Sequence, residues 1–170
     1  GFISPADALR IGLLISKDGV DNAALLSPLY GLLIFGGIFF DVIVYTVLLK
    51  RRTCWSVIWG GIAGGMPILA GRALGMGYID FIGIMLALAV LFWIPTHMLT
   101  FSMRYREDYA AAGIPTFPST YGDHVTRTVI AIASLVAAAL IGGAAVMIGV
   151  KQGFLNLLGI LSGGLLVMAV

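Results

Sequence analysis

The sequence predicts an all-α fold, a polytopic bundle of helices that cross a membrane. Of its 170 residues, 60% are hydrophobic and only 11% are charged, and the mean hydropathy is +1.05. Soluble domains carry about 25% charged residues. The apolar runs have the length of spanning helices and lack the strict alternation of a β-barrel. The lipid bilayer is therefore a predicted partner, and the net charge of +2 gives no indication of nucleic-acid binding.

The first predicted helix begins at Ser4 and Pro5, which are typical of a helix N-terminus. The segment is apolar over residues 6–15 apart from two charges, and residues 17–22 are mostly polar. A full span needs about 20 apolar residues. The segment therefore fits a short or interrupted span, or a helix on the membrane surface.

The second predicted span covers residues 29–49, after a helix start at Ser27 and Pro28. Asp41 lies inside it, either as part of a functional site or as a packing residue. The span ends at a basic cluster: Lys50, Arg51 and Arg52. By the positive-inside rule this cluster is cytoplasmic.

Four further spans are predicted, over residues 54–71, 81–103, 125–150 and 154–170. Residues 72–80 and 151–153 are predicted to be short outer connections. In the third span, two overlapping GxxxG pairs, Gly60/Gly64 and Gly61/Gly65, predict close packing of helices. The single cysteine, Cys54, excludes an intrachain disulfide.

A charged loop broken by prolines is predicted at residues 103–122. It is either a solvated connector or a site at the membrane surface, and we favour the site because other polar residues gather at the same end. At 100° per residue, the spacing predicts one helix face shared by four residues: Trp93, His97, Arg104 and Asp108. The same spacing predicts a second face, shared by Asp41, Tyr45 and Arg52.

The cytoplasmic end of the predicted bundle collects cations and carboxylates: Lys50, Arg51, Arg52, Arg104, Arg106, Glu107, Asp108 and Asp123. Clustered cations suit a phosphate or diphosphate, and Mg²⁺ bridges such an anion to carboxylates. The apolar bundle would hold a hydrocarbon tail, so these residues fit an enzyme that acts on a lipid diphosphate. A transporter with Asp41 as a midplane ion site, or a membrane scaffold, is the alternative.

Five ordered motifs make the interpretation more specific: ISPADAL at 3–9, VYTVLLKRRT at 44–53, GGIAGGMPILAG at 60–71, LFWIPTHM at 91–98 and DYAAAGIPTFP at 108–118. On these motifs the chain resembles the UbiA superfamily of intramembrane prenyltransferases, and most of all its haem-farnesylating branch. The resemblance implies a nine-helix bundle. Residues 1–170 would then be a single transmembrane domain with about six of those helices, lacking the first two and the last. The family's first Asp-rich motif, NxxxDxxxD, is absent here, which implies that this chain is inactive alone.

The resemblance implies roles for residues that match its motifs. Asp108 matches the second acidic motif, so it would be catalytic and bind Mg²⁺, and Tyr45 would also be catalytic. Together with the residues found from spacing, the candidate substrate contacts are Lys50, Arg51, Arg52, Arg104, Arg106, Tyr109, His97 and Trp93. The sequence departs from the family at residues 95–99, with PTHML in place of PPHFW, and has Ala112 where many members carry a second Asp.

The implied reaction is Mg²⁺-dependent transfer of an isoprenyl group, farnesyl in the haem branch, from its diphosphate. The acceptor would be haem B, or alternatively an aromatic quinone precursor or a lipid alcohol. The resemblance also implies a prokaryotic cell membrane or a mitochondrial inner membrane, with the active site facing the cytoplasm or the matrix.

Overall fold

The structure is a computed structural model that describes residues 3–150 together with Gly153, Asn156 and Gly159. Every regular element between residues 3 and 150 is a helix, so the predicted all-α class is confirmed. In order they are α1 (Pro5–Leu26), α2 (Pro28–Ile38), a π-helix (Phe39–Leu49), α3 (Ser56–Met76), α4 (Phe81–Arg104), α5 (Arg106–Ala111) and α6 (Phe117–Ile148).

Four helical segments are long and apolar enough to cross a membrane: Pro28–Leu49, Ser56–Met76, Phe81–Arg104 and Phe117–Ile148. They pack in chain order, α3 against α2, α4 against α3, and α6 against α4. The chain is therefore an integral, multi-pass membrane protein. The predicted turn at 151–153 and the predicted sixth span at 154–170 lie outside the described residues, apart from Gly153, Asn156 and Gly159.

The first segment, α1, is one continuous helix rather than an interrupted span. Ser4 caps it by accepting the backbone N–H of Asp7 at 3.1 Å. The polar stretch stays helical because its side chains bond one turn away, as Lys17 Nζ donates to Asp21 Oδ2 at 2.5 Å. The charges of α1 leave it outside the set of segments apolar enough to span.

The second span changes from α-helix to π-helix at Phe39. The i→i+5 backbone pattern appears at Lys50, whose N–H donates to the Tyr45 carbonyl at 2.8 Å. The Thr46 hydroxyl donates to the Asp41 carbonyl at 2.8 Å. Arg52 lies beyond the helix, in the turn that follows Leu49. The prediction that Asp41, Tyr45 and Arg52 share a face is wrong for Arg52, because the helical rotation ends at Leu49.

The connection between α3 and α4 is shorter than predicted. The helix α3 continues to Met76 and ends at Gly77, whose φ of 81° is the left-handed conformation that suits glycine. Arg72 therefore lies on the helix and not in the predicted outer loop. It donates two hydrogen bonds to Asp80, at 2.7 and 2.5 Å, and Asp80 also accepts the N–H of Gly83 at the start of α4.

The GxxxG glycines bring α3 close to α4, as the sequence predicts. A Cβ atom added at Gly65 would lie 2.7 Å from the Ala87 carbonyl oxygen, and one at Gly61 would lie 3.2 Å from that of Leu91. The two helix backbones approach so closely that a larger residue at Gly65 would force them apart.

The segment after α4 is mostly helical rather than a loop. Tyr105, with φ −105° and ψ 35°, separates α4 from α5. The helix α6 begins at Phe117 with a capping box formed by Thr116 and Ser119, and it bends at Gly122, where φ is 82°. The prediction that Asp108 continues the Trp93 face is wrong, because the helical rotation is interrupted at Tyr105.

Candidate functional site

Four elements converge at one end of the bundle: the end of the π-helix, the start of α3, the last turns of α4 with α5, and the start of α6. They enclose a small pocket, here called the Lys50 pocket. Its polar lining residues are Tyr45, Lys50, Ser56, Ser102, Tyr109 and Thr116. The structure therefore brings together three residues that the sequence singles out, Tyr45, Lys50 and Tyr109.

The polar groups of this pocket divide into two sets. The Ser102 hydroxyl donates to the Leu99 carbonyl at 2.9 Å, and Thr116 is engaged with Ser119. Among the described residues, the Tyr45, Ser56 and Tyr109 hydroxyls and the Lys50 ammonium group have no hydrogen-bond partner. One cation and three hydroxyl groups therefore remain available to a ligand.

Tyr45 and Lys50 are held relative to one another by a side-chain contact and by the backbone hydrogen bond from Lys50 to Tyr45. The Lys50 ammonium nitrogen lies 5.6 Å from the centroid of the Tyr45 ring, which is a cation–π contact. On the α3 side the Tyr45 ring faces Gly60, where an added Cβ would lie 3.6 Å from the ring. The half-buried Tyr45 is thus packed between the lysine and α3.

The pocket is small, with a volume of about 30 Å³. This is room for a water molecule or two, and a diphosphate does not fit inside it. An anion would therefore bind at the mouth, where it can meet the lysine and the tyrosine hydroxyls.

The remaining predicted cations do not line the pocket. Arg51 and Arg52 are exposed in the turn after the π-helix. The Arg104 guanidinium carbon lies 5.7 Å from the ring centroid of Tyr105. Arg106 forms an ion pair with Asp123, and both side chains are about half exposed. Arg106 is thus already neutralised, whereas Arg51 and Arg52 form no ion pair with a described residue.

The predicted metal ligand, Asp108, is exposed on the short helix α5. Within the described part of the chain, no three His, Cys, Asp or Glu side chains come together as a metal cluster. Mg²⁺ is commonly held by one or two carboxylates plus the phosphates of a substrate. Asp108 alone therefore fits a metal shared with a bound diphosphate and does not fit a dedicated protein cage.

A second cavity, here called the apolar cavity, adjoins the Lys50 pocket. It lies between α3, α4 and α6, has a volume of about 400 Å³, and is lined almost entirely by carbon atoms. This volume is within the range of small-molecule sites. Four residues line both spaces: Cys54, Val57, Leu99 and Phe117.

The opposite face of α4 carries a column of aromatic rings in contact with one another, here called the aromatic ladder: Trp93, His97, Phe101 and Tyr105. Successive ring centroids lie 5.7, 4.8 and 6.1 Å apart. All four side chains are exposed. Each of the first three follows a residue of the apolar cavity by two positions, which is about 200° around the helix. Trp93 and His97 therefore do not line the Lys50 pocket.

Sequence reasoning missed several of these residues. Phe101 and Tyr105 extend the ladder, and the regular spacing of four from Trp93 was a signal that could have found them. Ser102 and Thr116 reach the pocket only through tertiary packing, so no local pattern indicates them.

These features define a class: an integral membrane helix bundle with a cationic and hydroxyl-bearing pocket at one end and an apolar cavity beneath it. The sequence pattern of the UbiA prenyltransferase family matches residues 1–170, so the chain belongs to that family.

Two similar proteins share one name. The chain is 37% identical over 163 residues to the protoheme IX farnesyltransferase of Pyrobaculum arsenaticum, covering 88% of this chain and 58% of that protein. It is 42% identical over 122 residues to that of Archaeoglobus fulgidus, covering 72% of this chain and 43% of the relative. The chain thus spans about half the length of the curated relatives it matches. No solved structure matches it.

Proposed function

We propose that the protein transfers a farnesyl group from farnesyl diphosphate to haem B. The observation that carries the proposal is the Lys50 pocket, where an ammonium group and two tyrosine hydroxyls without described partners adjoin an apolar cavity. The names of the relatives supply the reaction and the acceptor.

The diphosphate would bind at the mouth of the Lys50 pocket. Lys50 would stabilise the negative charge that grows on the diphosphate as it leaves, and the Tyr45 and Tyr109 hydroxyls would donate hydrogen bonds to its oxygens. The other proposed diphosphate contacts are four arginines: Arg51 and Arg52, which follow Lys50 in the sequence, and Arg104 and Arg106, at the end of α4 and the start of α5. Asp108 is the residue proposed to hold Mg²⁺, which would neutralise charge on the diphosphate when bound.

The reaction begins when the bond between the allylic carbon and the diphosphate oxygen breaks, and the diphosphate leaves with the electron pair. Aromatic rings such as that of Tyr45 would stabilise the resulting allylic cation through cation–π interactions. A vinyl group of haem B then supplies the electrons of the new carbon–carbon bond. Water adds to the cation left on the haem side chain and loses a proton, which gives a hydroxyethylfarnesyl product.

The acceptor would lie against the aromatic ladder. A flat macrocycle stacks well on aromatic rings, and the ladder ends at Tyr105, the residue before α5. The two substrates would thus approach from opposite faces of α4 and meet at its C-terminal end. Trp93 and His97 would therefore contact the acceptor.

The site is also proposed to face the cytoplasm or the matrix. The basic residues Lys50, Arg51, Arg52, Arg104 and Arg106 belong to this end, and the positive-inside rule favours that side.

The test uses the full-length protein in liposomes, with labelled farnesyl diphosphate and Mg²⁺. Haem B, a hydroxybenzoate and a glycerol-type lipid alcohol are supplied separately, and products are identified by mass spectrometry. Farnesylated haem is the expected product. Transfer only to another acceptor would contradict the haem assignment, and no transfer to any acceptor by folded protein would contradict the reaction.

A further inference from the structure

We propose that the Ser56 hydroxyl, at the N-terminus of α3, binds one oxygen of the terminal phosphate of the diphosphate substrate inside the Lys50 pocket. This rests on the proposed function for the identity of the substrate. Ser56 thereby distinguishes a diphosphate from a monophosphate, a role that no sequence motif indicates.

Ser56 differs from the other buried hydroxyl residues in lacking a hydrogen-bond partner. Within the described part of the chain, four residues with a hydroxyl group are at most 7% exposed: Ser56, Ser102, Thr116 and Thr126. The last three bond to a neighbour within four residues along the chain. Ser56 is 5% exposed, and its hydroxyl bonds to no described residue. Because a buried hydroxyl without a partner is unfavourable, this one suits a ligand or a water molecule.

The space next to the Ser56 hydroxyl is the Lys50 pocket. Ser56 lines this pocket together with Tyr45, Lys50 and Tyr109. Among the described residues, every side-chain oxygen or nitrogen that is sealed from solvent has a hydrogen-bond partner. The unpartnered Ser56 hydroxyl therefore keeps some accessible surface. Since the rest of the residue is enclosed, that surface opens into the pocket, where a ligand held by Lys50 can reach it.

The N-terminus of α3 adds backbone donors at the same place. Ser56 and Val57 are the first two residues of this 21-residue helix, and both line the pocket. Trp55, the residue before them, provides no side-chain cap, and its indole N–H donates to the Tyr121 hydroxyl at 3.2 Å. An uncapped helix N-terminus has free N–H groups and a partial positive charge, which favour an anion. The helix and the Ser56 hydroxyl thus offer hydrogen-bond donors to an anion in one pocket.

The size of the pocket determines which part of the substrate enters it. A volume of about 30 Å³ admits a group the size of a water molecule or an oxygen atom, and a whole phosphate does not fit. The terminal phosphate carries no carbon substituent, so it can place one oxygen beside Ser56 while its other oxygens meet Lys50 at the mouth. The phosphate that is bonded to the prenyl carbon is bulkier and stays outside.

A water molecule is the other candidate occupant. The neighbouring cation favours an anionic oxygen, because Lys50 has no carboxylate partner among the described residues to neutralise it. A neutral water molecule would leave that charge without a counterion.

The experiment measures equilibrium binding of farnesyl diphosphate and of farnesyl monophosphate to the full-length protein in lipid nanodiscs, with Mg²⁺ and without acceptor. Ser56→Ala is expected to raise the Kd for the diphosphate about tenfold, since it removes a hydrogen bond to a charged group. The Kd for the monophosphate should not change. The matched control is Ser134→Ala, which removes a hydroxyl that is bonded to Thr96 and lines neither cavity. It should leave both Kd values unchanged.

Thermal unfolding separates a binding role from a structural one. The Ser56 hydroxyl has no partner in the free protein, so Ser56→Ala should leave the Tm without ligand unchanged. The rise in Tm that farnesyl diphosphate causes should become smaller, because that rise depends on the Kd. A variant that binds the diphosphate weakly only because its fold is less stable, with a lower Tm in the absence of ligand, would overturn the binding role.

Lys50→Met, measured alongside, separates this inference from the proposed function. Weaker binding in Lys50→Met with unchanged binding in Ser56→Ala would overturn the role of Ser56 and leave the proposed function intact. Equal losses for the diphosphate and the monophosphate in Ser56→Ala would overturn the assignment to the terminal phosphate. Selective loss of diphosphate binding in Ser56→Ala would support the inference even if the wild-type protein farnesylated no acceptor.

Discussion

Two basic residues, Arg72 near one end of the bundle and Lys50 near the other, differ in whether they have a carboxylate partner. At one end, Arg72 and Asp80 share two hydrogen bonds, and their side chains are only 24% and 14% exposed. At the other end, Lys50 has no carboxylate partner among the described residues and lies beside two tyrosines whose hydroxyls are equally without partners.

This difference indicates that Arg72 contributes mainly to stability and Lys50 mainly to function. A cation that already has a carboxylate partner contributes to holding two helices together, and it has little left to offer an anion. A cation without a partner keeps its affinity for a phosphate. Substitutions at the Lys50 end should therefore change catalysis more than stability, and those at the Arg72 end should do the reverse.

The largest effect is expected for Lys50→Met. It removes the cation proposed to stabilise the leaving diphosphate, and the transfer rate should fall by about a hundredfold with little change in Tm. The matched control is Lys17→Met, which removes an exposed lysine from α1 and should leave transfer unchanged. Equal losses in the two variants would show that the charge at Lys50 has no special role.

The second-largest effect on transfer is expected for Asp108→Asn. Loss of partners that merely orient a metal ligand lowers metal affinity by about 10–100-fold, so loss of the proposed ligand itself should lower transfer at least tenfold at limiting Mg²⁺. Added Mg²⁺ should restore part of the rate. The control is Asp18→Asn, an exposed carboxylate of α1. Identical Mg²⁺ titrations of Asp108→Asn and the wild type would refute the metal role.

A smaller effect is expected for His97→Leu. It removes one ring of the aromatic ladder, so the KM for the acceptor should rise about threefold to tenfold. The KM for the diphosphate should not change, because His97 lies on the face of α4 away from the Lys50 pocket. Steady-state kinetics with each substrate varied in turn measure both values. A parallel rise in both would contradict the assignment of the two faces.

The smallest effect on activity is expected at the opposite end, for Asp80→Asn. Asparagine keeps the helix cap at Gly83 and removes the charge, so Tm should fall by a few degrees while transfer per folded molecule is unchanged. Hydrogen bonds from Arg72 hold the pKa of the Asp80 carboxyl below its usual range. The stabilisation is therefore complete above the unfolded pKa of about 3.9 and is lost as the pH falls through the lower folded value.

Thermal unfolding of Asp80→Asn and the wild type across this pH range measures the difference in Tm. The difference should be constant at neutral pH and should close under acidic conditions. A difference that persists after Asp80 is protonated would show that the charge is not its cause.

Much of the fold could be predicted from the sequence, because apolar length and helix-start residues are local signals. The starts at Ser4, Ser27 and the fourth span are correct, and the close packing at Gly61 and Gly65 follows from GxxxG. The π-helix was beyond such reasoning, since no residue in FFDVIVYTVLL indicates a change of hydrogen-bond register. The extension of α3 past Arg72 was missed because a charged residue there was taken for the end of the span.

The sequence predicts which end of the bundle holds the site, but not how the residues of the site are arranged. Tyr45 and Lys50 meet Tyr109, although Tyr109 comes from a segment far away in sequence. The two shared faces proposed from spacing fail at Arg52 and Asp108, because both extrapolate an α-helix past its end. Which polar group faces which neighbour depends on how the helix ends turn, and that is set by tertiary packing.

The most direct test of the Lys50 pocket as the diphosphate site is equilibrium binding of farnesyl diphosphate to the full-length protein in lipid nanodiscs, with Mg²⁺ and without acceptor. We predict that Lys50→Met raises the Kd by about tenfold or more, since charged hydrogen bonds contribute about 1.5–3 kcal/mol each. Asp80→Asn, at the other end, should leave the Kd unchanged. Unchanged affinity in folded Lys50→Met would contradict the assignment of the diphosphate to the Lys50 pocket.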